Sequence, residues 1–201
     1  MTQRFEIETV EMHTGGEPVR IVVGGYPAIR GATILEKRRD ARERLDQYRR
    51  LLMREPRGHP DMYGVLLVEP DLPGMDLAVL FTHNEGYSTM CGHATIAMAR
   101  WAIDTGRVKA VAPETTVAIQ CPCGPVIAHV EMRDGKPGRV RFESVPAFAL
   151  ALDKTVQTPT WGPVTLDIGF GGAFYALVPS QSIGLDVRRT PARLLADAGW
   201  E

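Results

Sequence analysis

Cysteine is scarce in this chain. Three thiols stand among 201 residues, an odd number that cannot pair off completely, in a chain large enough to build a core without covalent staples. They read as reduced, and the compartment as cytoplasmic. An excess of charge of either sign is missing too. Lys and Arg number 23 against 24 Asp and Glu, a net charge of −1, which argues against a nucleic-acid binder, usually clearly basic. No apolar run reaches the roughly 18 residues that would cross a bilayer as a helix. The opening residues, Met1-Thr-Gln-Arg-Phe-Glu-Ile-Glu8, have no basic stretch followed by an apolar core, so no secretory leader is expected. Phosphate-loop signals are lacking as well: Gly169-Phe-Gly-Gly172 has neither the spacing nor the flanks of a dinucleotide loop, and no Walker loop or nucleophile elbow occurs.

What is present is ordinary globular material, 44% apolar and 23% charged, enough for one large domain or one and a half average ones. Phe5 to Met12 alternates apolar and charged residues and predicts a strand; His13-Thr-Gly-Gly-Glu-Pro18 predicts a turn, and Val19 to Gly24 a returning strand. Thr33 caps a long helix to about Arg54, with Ile34, Ala41, Leu45, Tyr48 and Leu52 at helical spacing. Its Arg-rich remainder, interleaved with Glu36, Asp40, Glu43 and Asp46, reads as a solvated face with i,i+4 pairs rather than a surface for acidic partners. Strands are expected at Met62–Val68, Asp76–His83, Thr115–Gln120, Val126–Met132 and Val140–Ser144, with Asp134-Gly135 as a hairpin turn.

Val145 to Pro163 reads as an irregular crossing into a new unit, so the chain divides into 1–160 and 161–201. Strands at Val164–Ile168 and Phe174–Val178 and a helix over Ser182–Asp197 complete the second part. About 40 residues can hardly bury a core of their own. Either they pack on the first unit or the chain is the front portion of something longer, and the second is the expectation.

The most informative stretch is Met90-Cys91-Gly92-His93, between the polar turn His83-Asn-Glu-Gly-Tyr-Ser-Thr89 and the nearly all-apolar run Ala94–Ile103, with Gly106 as the stop. A cysteine there meets the orphan N–H groups and positive end of a helix, which favour a thiolate. Gly92 leaves room for a carboxylate to approach the same N–H groups. That pairing suits proton abstraction from an amino or hydroxy acid. The residues leave three readings of Cys91 open: an inert core thiol, a catalytic thiolate, or a metal ligand beside His93 and Cys121-Pro-Cys123, whose spacing is not a standard zinc pattern. Cys121 and Cys123 read as core packing, and His93 as either a helix-capping or a ligand-facing residue. His13, Glu17, Arg57, His59 and Asp61 are turn chemistry unless the fold brings them to the site.

Met12-His-Thr-Gly-Gly-Glu-Pro18, Glu55-Pro-Arg-Gly-His59, Asp61-Met-Tyr-Gly64 and Met90-Cys-Gly-His93 together resemble the proline racemase family of cofactor-independent racemases, epimerases and dehydratases. His83-Asn-Glu-Gly-Tyr-Ser88, Cys121-Pro-Cys-Gly124, Val145-Pro-Ala-Phe148 and Asp167-Ile-Gly-Phe-Gly-Gly-Ala-Phe-Tyr175 resemble its trans-3-hydroxy-L-proline dehydratase branch. The resemblance implies an α/β, diaminopimelate-epimerase-like fold of two similar halves, each a curved sheet around a central helix, with the second half incomplete here. It also implies a hydroxyproline or proline substrate and no cofactor or metal. Cys91 would be the base, the N–H groups of Gly92 and His93 would hold the carboxylate, and His93 would also reach the ring nitrogen. The family's second catalytic position, cysteine in racemases and threonine in the dehydratases, would lie beyond Glu201, so proline racemase and 4-hydroxyproline epimerase stay open beside dehydratase. So do an inactive fragment and an amino-acid-binding module. A homodimer would be one way to complete the site, but residues 160–201 carry no sign of it.

Overall fold

The computed structural model describes residues 5–201, which fall into two compact units divided between Val145 and Pro146. The first four residues of the stretch read for a leader lie outside the described residues.

The first unit opens with the antiparallel hairpin β1 (Glu8–Thr14) and β2 (Glu17–Gly24). Its turn is only Gly15-Gly16, both at positive φ, a conformation that glycine adopts without a Cβ penalty. The expected long helix is two, α1 (Ile34–Arg44) and α2 (Asp46–Met53). Thr33 and Glu36 close a reciprocal capping box at the start of α1, as the Thr33 reading requires. The break falls at Leu45, whose side chain is buried. Tyr87 Oη donates to Ala41 O, the same carbonyl that accepts from Leu45 N, and Asp46 opens α2 by accepting from Arg49. Periodicity continues through the break because both helices bury the same side.

Then follow β3 (Tyr63–Val68), β4 (Leu77–His83), the two-residue β5 (Tyr87–Ser88), α3 (Gly92–Asp104), β6 (Glu114–Cys121), β7 (Gly124–Arg133) and β8 (Lys136–Glu143). The strands form one mixed sheet in the order β1-β2-β3-β4-β6-β7-β8, with β5 beside β4. Asp134 and Gly135, both at positive φ, turn β7 into β8 as expected. Ala94, Thr95, Ala97, Met98, Ala99, Trp101, Ala102 and Ile103 of α3 are buried. A helix so enclosed needs a cover on nearly every side, and the sheet supplies it by curvature: α3 packs on β1 and β2 near one edge and on β7 and β8 near the other. The core gathers around it, with Phe81, Val79, Val117, Ile119 and Val126 fully buried.

The second unit is a three-stranded antiparallel sheet, β9 (Phe148–Thr158), β10 (Gly162–Phe170) and β11 (Phe174–Leu177), followed by a 3₁₀ turn at Ser180–Ile183 and α4 (Ala192–Trp200). Two expectations change here. The division falls at Val145/Pro146 rather than near residue 160, because most of the segment read as an irregular crossing is β9, laddered to β10 from Phe148 to Thr158. The helix read over Ser182–Asp197 is interrupted by Gly184 at φ 72, and α4 starts only after Pro191, whose ring suits a helix entry and not its interior.

Candidate active site

Cys91 occupies the N-cap of α3, with extended backbone (φ −150, ψ 115), so its side chain points back over the first helical turn. Its carbonyl is already spent on the helix, accepting from Thr95 N at 3.0 Å and Thr95 Oγ1 at 2.7 Å. Its sulfur is left to the site. His93 Nδ1 lies 3.3 Å from Sγ, and the first-turn N–H groups and the Tyr63 hydroxyl are close enough to favour its charged form.

The sheet's two margins meet at this helix end. From β1, Thr14 Oγ1 donates to His93 O at 2.9 Å. From β8, the Phe142 ring occupies the space beside Gly92: a Cβ there would stand 3.2 Å from Phe142 Cζ. The missing side chain of Gly92 therefore admits a ring of the protein itself. From β3, Tyr63 meets His93 edge-on at a centroid distance of 4.9 Å, and stacks on its β4 pairing partner His83 at 5.8 Å.

The approach to Cys91 is held by carbonyl contacts. Arg49, 4% exposed, is paired with Asp46 and donates to His83 O and Asn84 O at 2.7 and 2.6 Å. Asn84 Nδ2 donates to His59 O and Pro60 O at 2.9 and 2.6 Å, Arg38 donates to Tyr87 O, and Ser88 Oγ donates to Met90 O at 2.7 Å. Cys123 N, in the turn between β6 and β7, donates to Thr89 O at 3.1 Å. A buried guanidinium that satisfies several carbonyls at once fixes a loop that has no ladder of its own.

The thiol's electrostatics differ from the expectation drawn from the helix end alone. Burial pushes the Cys91 thiol above its ordinary value. The N–H groups of Ala94 and His93 and the Tyr63 hydroxyl pull it down, the nearby charge of Glu17 pushes it up again, and burial wins. The helix end thus offsets a desolvation penalty rather than creating a free thiolate. The consequence is a strong base once ionised. His83, stacked on Tyr63, moves below the ordinary imidazole range, first through burial and then through the charge of Arg49.

The other singled-out residues separate cleanly. Gly92 and His93 stand at the sulfur. His13 Nδ1 accepts from Gly16 N at 3.3 Å, so its ring serves the hairpin turn. Arg57 and His59 contribute their carbonyls, to Arg20 and Asn84. Cys121 is buried, and both it and Cys123 pack on the α3 core; their thiols share a hydrogen bond that raises Cys121 and lowers Cys123. Tyr63, Thr14 and Phe142 had not been singled out. Tyr63 lay inside the quoted Asp61–Gly64 motif, but its partner comes from another element.

Three comparisons bear on this arrangement. The proline racemase family model matches residues 9–201. The chain is 57% identical over 192 residues to the trans-L-3-hydroxyproline dehydratase of Xenopus tropicalis, covering 95% of this chain and 55% of that protein. It is 47% identical over 195 residues to the 3-hydroxyproline 2-epimerase of Burkholderia multivorans, covering 97% and 58%. The crystal structure of a probable proline racemase from Agrobacterium radiobacter with bound carbonate superposes at a TM-score of 0.87 and 33% identity, over 96% of this chain and 57% of that one. The chain thus spans little more than half the length of the curated relatives it matches.

Proposed function

The chain belongs to the proline racemase family, and on that premise we propose that it carries the thiolate side of a trans-3-hydroxy-L-proline dehydratase with Cys91 as the base. The single observation behind this is the place of Cys91, at the N-terminus of an enclosed helix with His93 Nδ1 3.3 Å from its sulfur. Identity of 57% to a dehydratase supports the choice of substrate.

The Cα proton of an amino acid is very weakly acidic, so its removal needs both a strong base and a sink for the developing charge. Burial makes the Cys91 thiolate a strong base. The N–H groups of Gly92 and His93 take the substrate carboxylate and stabilise charge as it spreads from Cα, worth most where water is excluded. Loss of the 3-hydroxyl then leaves an enamine, which tautomerises to a pyrroline-2-carboxylate. The chemistry asks for no cofactor and no metal, and the substrate is a small amino acid. With three unpaired thiols, we read the compartment as cytoplasmic.

Proton NMR in D₂O with trans-3-hydroxy-L-proline tests the reading, with Cys91→Ser as control. Loss of substrate signals with a pyrroline product is expected from the native chain. The serine variant should fall by about 10³-fold, in the range of a lost general base. The identity to a 3-hydroxyproline 2-epimerase favours one second reading: deuterium entering Cα with inversion and no elimination would replace the dehydratase by an epimerase. Silence from a folded sample would place an indispensable part of the site outside these residues.

A further inference from the structure

In trans-3-hydroxy-L-proline the hydroxyl is trans to the carboxylate, and therefore lies on the same ring face as the Cα proton. A base that removes that proton sits beside the leaving group, on the adjacent carbon. Hydroxide leaves poorly unless it is protonated as it departs, so a second proton-bearing group belongs on the same face as Cys91. The Tyr63 ring meets His93 edge-on at 4.9 Å and stacks on His83, His93 Nδ1 is itself 3.3 Å from Cys91 Sγ, and the Tyr63 hydroxyl is among the groups that favour the charged sulfur. His93 also stands at the sulfur, but its backbone belongs to the helix end proposed for the carboxylate.

We propose that Tyr63 is a catalytic residue of the elimination, the phenol that protonates the departing 3-hydroxyl while Cys91 takes the Cα proton. This rests on the dehydratase reading of Cys91. The step closes without any further reactant. The Cα–H bond breaks, its proton goes to the Cys91 sulfur and its electron pair forms the Cα=C3 double bond. The C3–O bond breaks with its pair going to oxygen, and the Tyr63 proton converts the departing hydroxide to water. The Cys91 thiol then returns a proton to the neighbouring Tyr63 phenolate, restoring thiolate and phenol. One proton has travelled from Cα to water by way of sulfur and phenol. The relay is specific for the trans isomer, since a cis hydroxyl lies on the opposite face.

Tyr63→Phe keeps the ring that packs on His83 and His93 and removes only the hydroxyl. Dehydration of trans-3-hydroxy-L-proline should fall about 100-fold, the scale of a lost general acid. Elimination of fluoride from trans-3-fluoro-L-proline, whose leaving group needs far less protonation, should stay within a few-fold of the native rate. Equal loss with both compounds, or no loss with either, overturns the role of Tyr63 while leaving Cys91 as the base. A native chain that neither exchanges the Cα proton nor turns over either compound instead overturns the reading that these residues carry the dehydration by themselves, and places an indispensable part of the site outside them. The Tyr63–Cys91 contact is then read from the pH profile of Cys91 alkylation, whose midpoint must rise in Tyr63→Phe, and an unmoved midpoint overturns the proposal.

Discussion

The two units are built from the same materials and bury them very differently. In the first, six of the seven residues of β4 are buried, and β7 alternates buried and part-exposed positions along most of its length. In the second, Leu150 and Leu152 of β9 are 57% and 62% exposed, and Phe148, Phe174 and Tyr175 are exposed as well. Among the described residues of the second unit, Val164 is the one hydrophobic side chain counted in a core. The strands of both are laddered, so backbone pairing is not what separates them. The difference is α3. A curved sheet closed on a helix converts its inner face into core, whereas a three-stranded sheet with one apolar face uncovered gains little from having that face. Cys91, Gly92, His93 and Tyr63 all belong to the first unit.

The comparison can be broken most directly at the helix. Met98 is fully buried in α3, and Met98→Ala should cost the first unit about 2–5 kcal/mol, read as a lower midpoint in chemical denaturation followed by the fluorescence of buried Trp101. Gly92→Ala places a methyl 3.2 Å from the Phe142 ring tip. The ring must shift beside the cysteine, so turnover should drop by about tenfold, by the usual cost of a small misplacement at a reacting centre, with a much smaller change in the denaturation midpoint. A third test is alkaline titration. Because burial raises the Cys91 thiol above its ordinary value, the proposed thiolate base predicts that Cα-proton exchange keeps climbing as pH rises past the usual thiol range. A plateau at neutral pH would show that the helix end outweighs burial. The smallest effect belongs to the second unit: Leu152→Ser should move stability by no more than about 0.5 kcal/mol, and a loss comparable to that of Met98→Ala would mean that β9 is buried in solution.

Local signals were readable in proportion to how local their causes are. Thr33 with Glu36, Asp134-Gly135 and Gly106 each act through neighbours within a turn, and each stands where the sequence puts it. The apolar run after Cys91 announces an enclosed helix, because no other environment suits such a surface. The break at Leu45 was not readable, since it depends on Tyr87 reaching Ala41 from another element. Nor was β9, whose Pro- and Ala-containing approach resembles a linker until β10 supplies its ladder. That Cys91, Gly92 and His93 open a helix was legible because a helix N-terminus is encoded in a few adjacent residues. Tyr63 was not, because its partner sulfur becomes a neighbour only once β3 and α3 are packed.

By itself, then, the sequence determined the family, the helix and the cysteine at its head, for these rest on contiguous residues and short-range backbone geometry. The tertiary structure decided what surrounds that sulfur: the Tyr63 hydroxyl, the His83 ring, the Phe142 ring beside Gly92, and the burial that lifts the thiol instead of freeing it. Desolvation and cross-strand contact are properties of packing, and they exist only after the two edges of the sheet have closed on the helix.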